Sequence, residues 1–250
     1  MEVHQHSHTE RKKWTHYFWE FLMLFLAVFC GFLAENLREH FVEGSKEKKY
    51  IHSLIADLKG DTAEIKSVIA FNIIKFHGMD TLAGLLNKQS LDVDDEKQLY
   101  VLNRRYVANI YTMIFNERTI RQLLNSGNLR LVNSQSISDS IMNYYGQSKE
   151  NIIGQEKAYN ETSRQIVFLS ADIFDKSTYL IKMKADSSFY RDIKPDKMKL
   201  MTREKNVLKK YAQTITTARD ELSNYLNMLF EMRTKGNNLL IFLQNEYHMK

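Results

Sequence analysis

The sequence is poor in the residues that interrupt regular structure. Its 250 residues include one proline, nine glycines and one cysteine. Sheets and sandwiches need many turn-forming residues, so this scarcity argues against an all-β protein and favours long helices. The single cysteine, Cys30, excludes a disulfide framework within one chain and does not identify the compartment. The composition predicts an all-α protein.

The chain also lacks any strong concentration of one charge. It contains 35 lysines and arginines against 30 acidic residues, a net charge of +5, and the two signs are mixed along its length. Proteins that bind nucleic acid gather their positive charge on one patch or stripe. We therefore expect a solvated surface and no nucleic-acid partner.

One stretch is far more apolar than the rest. Residues 21–34 carry no charge. With residues 14–19 they give about 20 residues, enough to cross a ~30 Å hydrocarbon core at about 1.5 Å per residue. No small-residue cleavage motif follows Ala34, which argues against a signal peptide that is removed. The sequence predicts an uncleaved transmembrane helix over residues 14–35.

The flanks of this helix predict its orientation. Arg11, Lys12 and Lys13 lie directly before it, whereas only Arg38 is close on the other side. Cytoplasmic flanks carry the excess of lysine and arginine. We expect residues 1–13 to be a basic, His-rich cytoplasmic tail of a single-pass membrane protein. The C-terminal domain would then lie outside the cytoplasm.

Glu20 lies about one turn inside the predicted membrane helix. Steps of three and four residues place it on one face with Ala27 and Gly31, a small-xxx-small pair that lets a second helix approach closely. An ionisable group at this depth is costly unless it is paired, protonated or snorkelling. Two interpretations stay open: Glu20 faces a partner helix, or it bends back to the headgroups. Glu20, Ala27 and Gly31 are the predicted helix-packing residues.

The N-terminal tail contains histidines at alternate positions, His4, His6 and His8. In an extended chain these imidazoles share one side and suit zinc, copper or nickel. No cysteine or acidic cluster completes the set, so a solvated tail is the alternative. No cofactor is predicted.

Beyond residue 36 the apolar positions keep helical spacing. The predicted helices cover residues about 36–87, 95–125, 135–184 and 196–246. Short loops join them, which predicts that residues 36–250 form an elongated up-down antiparallel bundle continuing from the membrane helix. The sequence offers no Ser-His-Asp set, phosphate-binding glycine loop or paired catalytic acids. We therefore predict no enzyme activity.

A motif in residues 116–145 resembles a known family. The sequence "NERTIRQLLNSGNLRLVNSQSISDSIMNYY" combines a turn containing Ser126, Gly127 and Asn133 with a helix that carries the Tyr144–Tyr145 pair. It is similar to an uncharacterised Bacteroidota family with one N-terminal transmembrane helix and a helical extracytoplasmic domain. The resemblance implies a bacterial setting, in which the membrane helix would lie in the inner membrane and the C-terminal domain would be periplasmic. It implies no activity.

These features predict a membrane-anchored structural or interaction protein that acts through helix–helix association. Its expected partners are the lipid bilayer and, through the transmembrane helix, a second copy or another membrane protein. One alternative is an extracytoplasmic, sensor-like bundle that binds a ligand. Another is an accessory subunit of a transporter or motor that uses Glu20.

Overall fold

The computed structural model describes residues 14–107, 110–132, 134–183, 189–193 and 197–249. The chain divides into two compact units, which we call unit 1 (Met1–Tyr50) and unit 2 (Ile51–Lys250). The helices are α1 (Trp14–Leu86), α2 (Val93–Tyr106), α3 (Arg118–Asn125), α4 (Gln135–Met142), α5 (Lys149–Leu169) and α6 (Lys205–Glu246). A π-helical turn, Asn143–Ser148, joins α4 to α5. Short 3₁₀ turns lie at Asn128–Leu131, Ser170–Asp172 and Lys176–Thr178.

The longest element is α1, a continuous helix of 73 residues. It combines the predicted transmembrane helix with the first predicted helix of the bundle. Gly44 and Gly60, where glycine lowers the helix propensity, are both helical. A glycine inside a helix costs only about 1 kcal/mol relative to alanine, so the helix continues through both positions.

Unit 2 has a helical core, which confirms the predicted all-α bundle. Its buried side chains follow the expected helical spacing. On α1 they include Ile51, Leu54, Leu58 and Ile65, and on α6 they include Tyr211, Ile215, Leu222 and Leu229. The two helices α5 and α6 pack against each other. Full burial of each leucine or isoleucine contributes about 1.5–3 kcal/mol to stability. The buried apolar faces of α1 and α6 therefore stabilise the packing of the helices.

The second predicted helix, 95–125, differs from the structure. The chain forms α2 and α3 there, and residues 110–117 between them are not helical. Side chains from other helices bind the backbone of this segment, as described below. Tertiary hydrogen bonds thus replace the helical ones that local propensity favours.

The third and fourth predicted helices, 135–184 and 196–246, also differ at one end each. The third is interrupted by the π-helical turn and ends at Leu169, and α6 begins only at Lys205. Between them lies an antiparallel hairpin of β1 (Tyr179–Met183) and β2 (Phe189–Ile193), in which Tyr179 is opposite Ile193. Both strands contain aromatic and aliphatic residues that favour extended backbone.

The start of α2 is capped by Asp92. Its side chain accepts hydrogen bonds from the backbone N–H groups of Asp94 (2.9 Å) and Asp95 (2.8 Å). The Asp95 carboxylate accepts in return from the Asp92 N–H (3.3 Å), which completes a capping box.

Candidate functional site

Unit 1 exposes apolar side chains on every face of its helix. Phe21, Val28 and Phe32 are 65%, 67% and 66% exposed. By length and composition α1 contains a segment able to cross a membrane, and none of that segment is buried. A core helix and a signal sequence can pass the same test of composition. Because none of it is buried, this segment differs from a core helix, whose residues would be mostly buried.

One face of this segment is aromatic. The rings of Phe21, Phe25 and Phe29 stack at i, i+4 spacing, with centroid distances of 6.2 and 5.9 Å. Such a face is bulky and carries no polar atom. It therefore suits an apolar environment.

A different face carries the predicted packing residues. Because α1 is continuous, the spacing of Glu20, Ala27 and Gly31 keeps them on one side of the helix. A Cβ atom built on Gly31 would meet no described atom within 4 Å apart from the neighbouring backbone of its own helix. The surface at Gly31 is therefore open to a second helix.

The Glu20 carboxylate has a side-chain partner, His16, that the sequence analysis did not predict. The Nε2 atom of His16 lies 3.0 Å from Glu20 Oε1, and about half of each side chain is exposed. The signal was available, since residues at i and i+4 are neighbours on a helix. The pair gives the carboxylate a hydrogen-bonding partner one turn towards the N-terminus.

The family-like turn has a structural role in unit 2. Ser126 is the C-cap of α3, and both its N–H (3.1 Å) and its hydroxyl (2.7 Å) donate to the Gln122 carbonyl. Gly127 has a φ of +66°, the left-handed conformation that commonly ends a helix and that glycine adopts without strain. This residue pair stops α3. Asn133 lies outside the described residues.

The Tyr144–Tyr145 pair belongs to the π-helical turn. Both rings are buried and meet edge to face with centroids 4.8 Å apart. A Cβ atom on Gly236 of α6 would lie 3.0 Å from the Tyr144 ring and 3.1 Å from the Thr62 side chain. The missing side chain of Gly236 makes room for the Tyr144 ring beside α1.

The two phenols lie close to the buried carboxyl of Asp61. Within the part of the chain that is described, Asp61 Oδ2 and both tyrosine hydroxyl oxygens have no partner with hydrogen-bond geometry, although Tyr144 is close enough to the Asp61 carboxyl to interact with it. Burial raises the pKa of each tyrosine, and the charge of Asp61 raises both further. Both phenols are therefore protonated at neutral pH, so the pair acts as packed, uncharged side chains.

Four buried polar residues on one stretch of α1 form what we call the polar ladder: Asp57, Asp61, Asn72 and Lys75. Each binds the backbone of the chain between α2 and α3 or at their ends. Lys75 Nζ donates to the Tyr106 carbonyl at 2.6 Å, and Asn72 Nδ2 donates to the Tyr111 carbonyl at 2.9 Å. The N–H groups of Asn116 and Thr119 donate to Asp61 (2.8 Å) and Asp57 (3.2 Å).

The same segment is held from the other side by α5 and α6. The Met113 N–H lies 3.1 Å from both Glu156 Oε1 and the Tyr225 hydroxyl oxygen. The Tyr225 hydroxyl in turn donates to Glu156 at 2.8 Å. Buried backbone groups need such partners, so these polar residues replace the hydrogen bonds that a helix would supply.

The predicted metal ligands belong to the N-terminal tail. His4, His6 and His8, with the rest of the basic tail, lie outside the described residues. Among residues 14–249 that are described, no group of three or more His, Cys, Asp or Glu side chains is placed to hold a metal ion.

Comparisons with protein families, with characterised proteins and with solved structures return no match to this chain.

Proposed function

We propose that this chain is a single-pass protein of a bacterial inner membrane, anchored by unit 1, that acts through helix–helix association and catalyses no reaction. The observation that carries this proposal is the membrane-length apolar segment of α1, none of which is buried. Exposed apolar patches beyond a few hundred Å² mark membrane or interaction sites. Water would solvate this surface poorly, and lipid tails solvate it well.

The two faces of the segment support different contacts. The stacked rings of Phe21, Phe25 and Phe29 suit lipid tails. The face with Glu20, Ala27 and Gly31 suits a second copy of the chain, because small residues allow close approach and a polar group in a membrane favours a hydrogen-bonded interface. The basic residues Arg11, Lys12 and Lys13 support a cytoplasmic N-terminus and a periplasmic unit 2.

The anchor is tested by placing charge in the segment. We expect the full-length protein to stay in the membrane pellet after an alkaline wash. Replacing Phe25 and Val28 together by arginine should move much of it to the soluble fraction, since each arginine near the membrane centre costs about 2.5–3.5 kcal/mol. The matched control is Phe168→Arg, which replaces another exposed apolar residue, 78% exposed on α5, and should leave the protein in the pellet.

Two results would contradict the anchor: a wild-type protein that is extracted by alkali, or a control variant released as fully as the double variant. Protease added to spheroplasts checks the orientation in the same preparation. Digestion of unit 2 agrees with a periplasmic location, and protection reverses it.

The sensor-like alternative shares the same anchor. The observation that favours it is a pocket in unit 2 that is lined by Lys88, Arg203, Lys205 and Lys209.

A further inference from the structure

A pocket of about 400 Å³ lies in unit 2 between the end of α1, the loop before α2 and the start of α6. Its lining contains four cationic residues and no carboxylate. The cationic residues are Lys88, Arg203, Lys205 and Lys209, and we call the site the basic pocket. Asn87, Gln89 and Ser90 add uncharged polar groups.

Two of these cations are paired with buried carboxylates that do not line the pocket. Lys88 Nζ lies 2.6 Å from Asp95 Oδ1, and this hydrogen bond raises the pKa of Lys88. Arg203 Nε donates to Glu96 Oε1 at 2.7 Å. Glu96 is only 2% exposed and also accepts the Leu200 N–H at 3.0 Å. Lys88 and Arg203 are thus each held by a carboxylate that is itself fixed. Asp95 belongs to the capping box of α2, and Glu96 binds the Leu200 backbone.

The other two cations lie where local rules make positive charge unfavourable. Lys205 and Lys209 are one turn apart at the start of α6, so their like charges repel. The N-terminal end of a helix carries partial positive charge and favours anions. Yet the first turn of α6 has no acidic residue, and Glu204 makes no side-chain cap. Residues that break a local stability rule in this way are expected at binding sites.

We propose that the basic pocket binds a phosphoryl group, carried either by a small soluble phosphomonoester or by a lipid headgroup. Three features favour a compact oxyanion. The N–H groups in the first turn of α6 have no side-chain cap. Lys205 and Lys209 share the lining with no carboxylate, and the Arg203 guanidinium is positioned by Glu96. The volume falls within the range of about 300–1,000 Å³ that is usual for small-ligand pockets. The pocket is independent of the membrane-anchoring role of unit 1.

Calorimetric titration of the full-length protein in neutral detergent tests the proposal. The probes are inorganic phosphate and pyrophosphate, with acetate as the control anion at the same ionic strength. We expect saturable binding of the phosphoryl probes and none of acetate. Lys205→Gln and Lys209→Gln should each weaken binding about tenfold, the loss expected for one charge-assisted hydrogen bond. The matched control, Lys210→Gln, changes an exposed neighbour outside the pocket and should leave affinity unchanged.

A second measurement separates a binding role from a structural one. Without phosphate, the double variant of Lys205 and Lys209 to glutamine should unfold at a higher temperature than the wild type, because the repulsion is gone. With saturating pyrophosphate, the wild type should gain more thermal stability than the variant. A lower unfolding temperature of the unliganded variant would show that these lysines stabilise the fold, and would contradict the proposal.

Competition identifies the source of the phosphoryl group. Short-chain phosphatidic acid that displaces pyrophosphate assigns a lipid headgroup, and a failure to displace it assigns a soluble phosphomonoester. The proposal is overturned if phosphate and pyrophosphate bind no better than acetate, or if Lys210→Gln weakens binding as much as the pocket variants do.

Discussion

Asp61 and Lys75 are ionisable residues buried in the polar ladder, and burial moves their pKa values in opposite directions. Burial raises the pKa of the Asp61 carboxyl, against the hydrogen bonds from Asn116, and the nearby charge of Asp57 raises it further. Burial lowers the pKa of Lys75 to about 8. In each case the charged form is penalised because it leaves water. Both residues nevertheless bind backbone groups that would otherwise be unpaired.

The buried charge of Asp61 destabilises the fold, and its hydrogen bonds to Asn116 stabilise it. Two substitutions of Asp61 should therefore change the stability of the protein in opposite directions. A raised pKa in the folded state means that the contribution of Asp61 to stability is complete below its ordinary pKa. That contribution is lost as the pH rises through the raised value. Asp61→Asn keeps an acceptor oxygen but no longer titrates, so its stability relative to the wild type should increase from pH 4 to pH 7. Asp61→Ala leaves the Asn116 N–H unpaired and should cost about 1–3 kcal/mol.

Thermal unfolding in neutral detergent at several pH values measures both effects. A difference between Asp61→Asn and the wild type that does not change with pH would show that Asp61 keeps its ordinary pKa. Equal stability of Asp61→Ala and Asp61→Asn would show that the bond to Asn116 contributes nothing.

At the level of elements, α2 approaches α1 closely at Gly78. A Cβ atom on this glycine would lie 2.3 Å from the ring of Tyr106, the last residue of α2. One turn earlier on α1, Lys75 donates to the Tyr106 carbonyl. The end of α2 is therefore docked on α1 by a ring that needs a glycine opposite it and by a hydrogen bond.

Gly78→Ala should therefore destabilise unit 2. The added methyl must displace the Tyr106 ring, and overpacking of this kind typically costs about 1–3 kcal/mol. Gly84→Ala is the matched control on the same helix, because its Cβ would meet nothing within 4 Å. That substitution should raise stability by up to about 1 kcal/mol through helix propensity. Thermal unfolding of both variants decides the matter, and equal shifts would exclude the close approach.

The segment between α2 and α3 shows which elements a sequence pattern can predict. Its apolar residues Ile110 and Met113 are buried, as a helix would bury them. The chain is nonetheless not helical there, because Asn72 and Asp61 bind its backbone from 39 and 55 positions earlier. Hydrophobic spacing is a local signal and does not report bonds over such separations.

At the level of the whole molecule, the two units distribute their apolar residues in opposite ways. Phe174 in unit 2 is 1% exposed, whereas Phe32 in unit 1 is 66% exposed. Unit 2 buries an extensive apolar core and exposes single apolar residues such as Phe168, whereas unit 1 presents its apolar residues outward. This contrast supports an anchor and a water-exposed domain in one chain.

The proposed association through unit 1 gives a test on the assembled protein. Gly31→Leu should reduce energy transfer between labelled copies in lipid vesicles, because a bulky side chain keeps the helices apart. The expected loss is about 1–2 kcal/mol, or roughly tenfold in the association constant. Val28→Leu, at a 67% exposed position that is already bulky, is the control and should have no effect. Equal energy transfer in the two variants would remove Gly31 from the interface.

Local pattern was sufficient for the class of the fold, the apolar segment and the end of α3 at Ser126 and Gly127. Each depends on residues within a few turns of one another, so composition and spacing report it. The basic pocket could not be read in this way, since Lys88 and Arg203 are distant in sequence and meet only after α6 packs beside the end of α1. The polar ladder is similar, because only packing reveals which backbone groups its side chains bind. Contacts between residues distant in sequence leave no periodic pattern in it. Only the tertiary structure therefore determines which residues line the pocket.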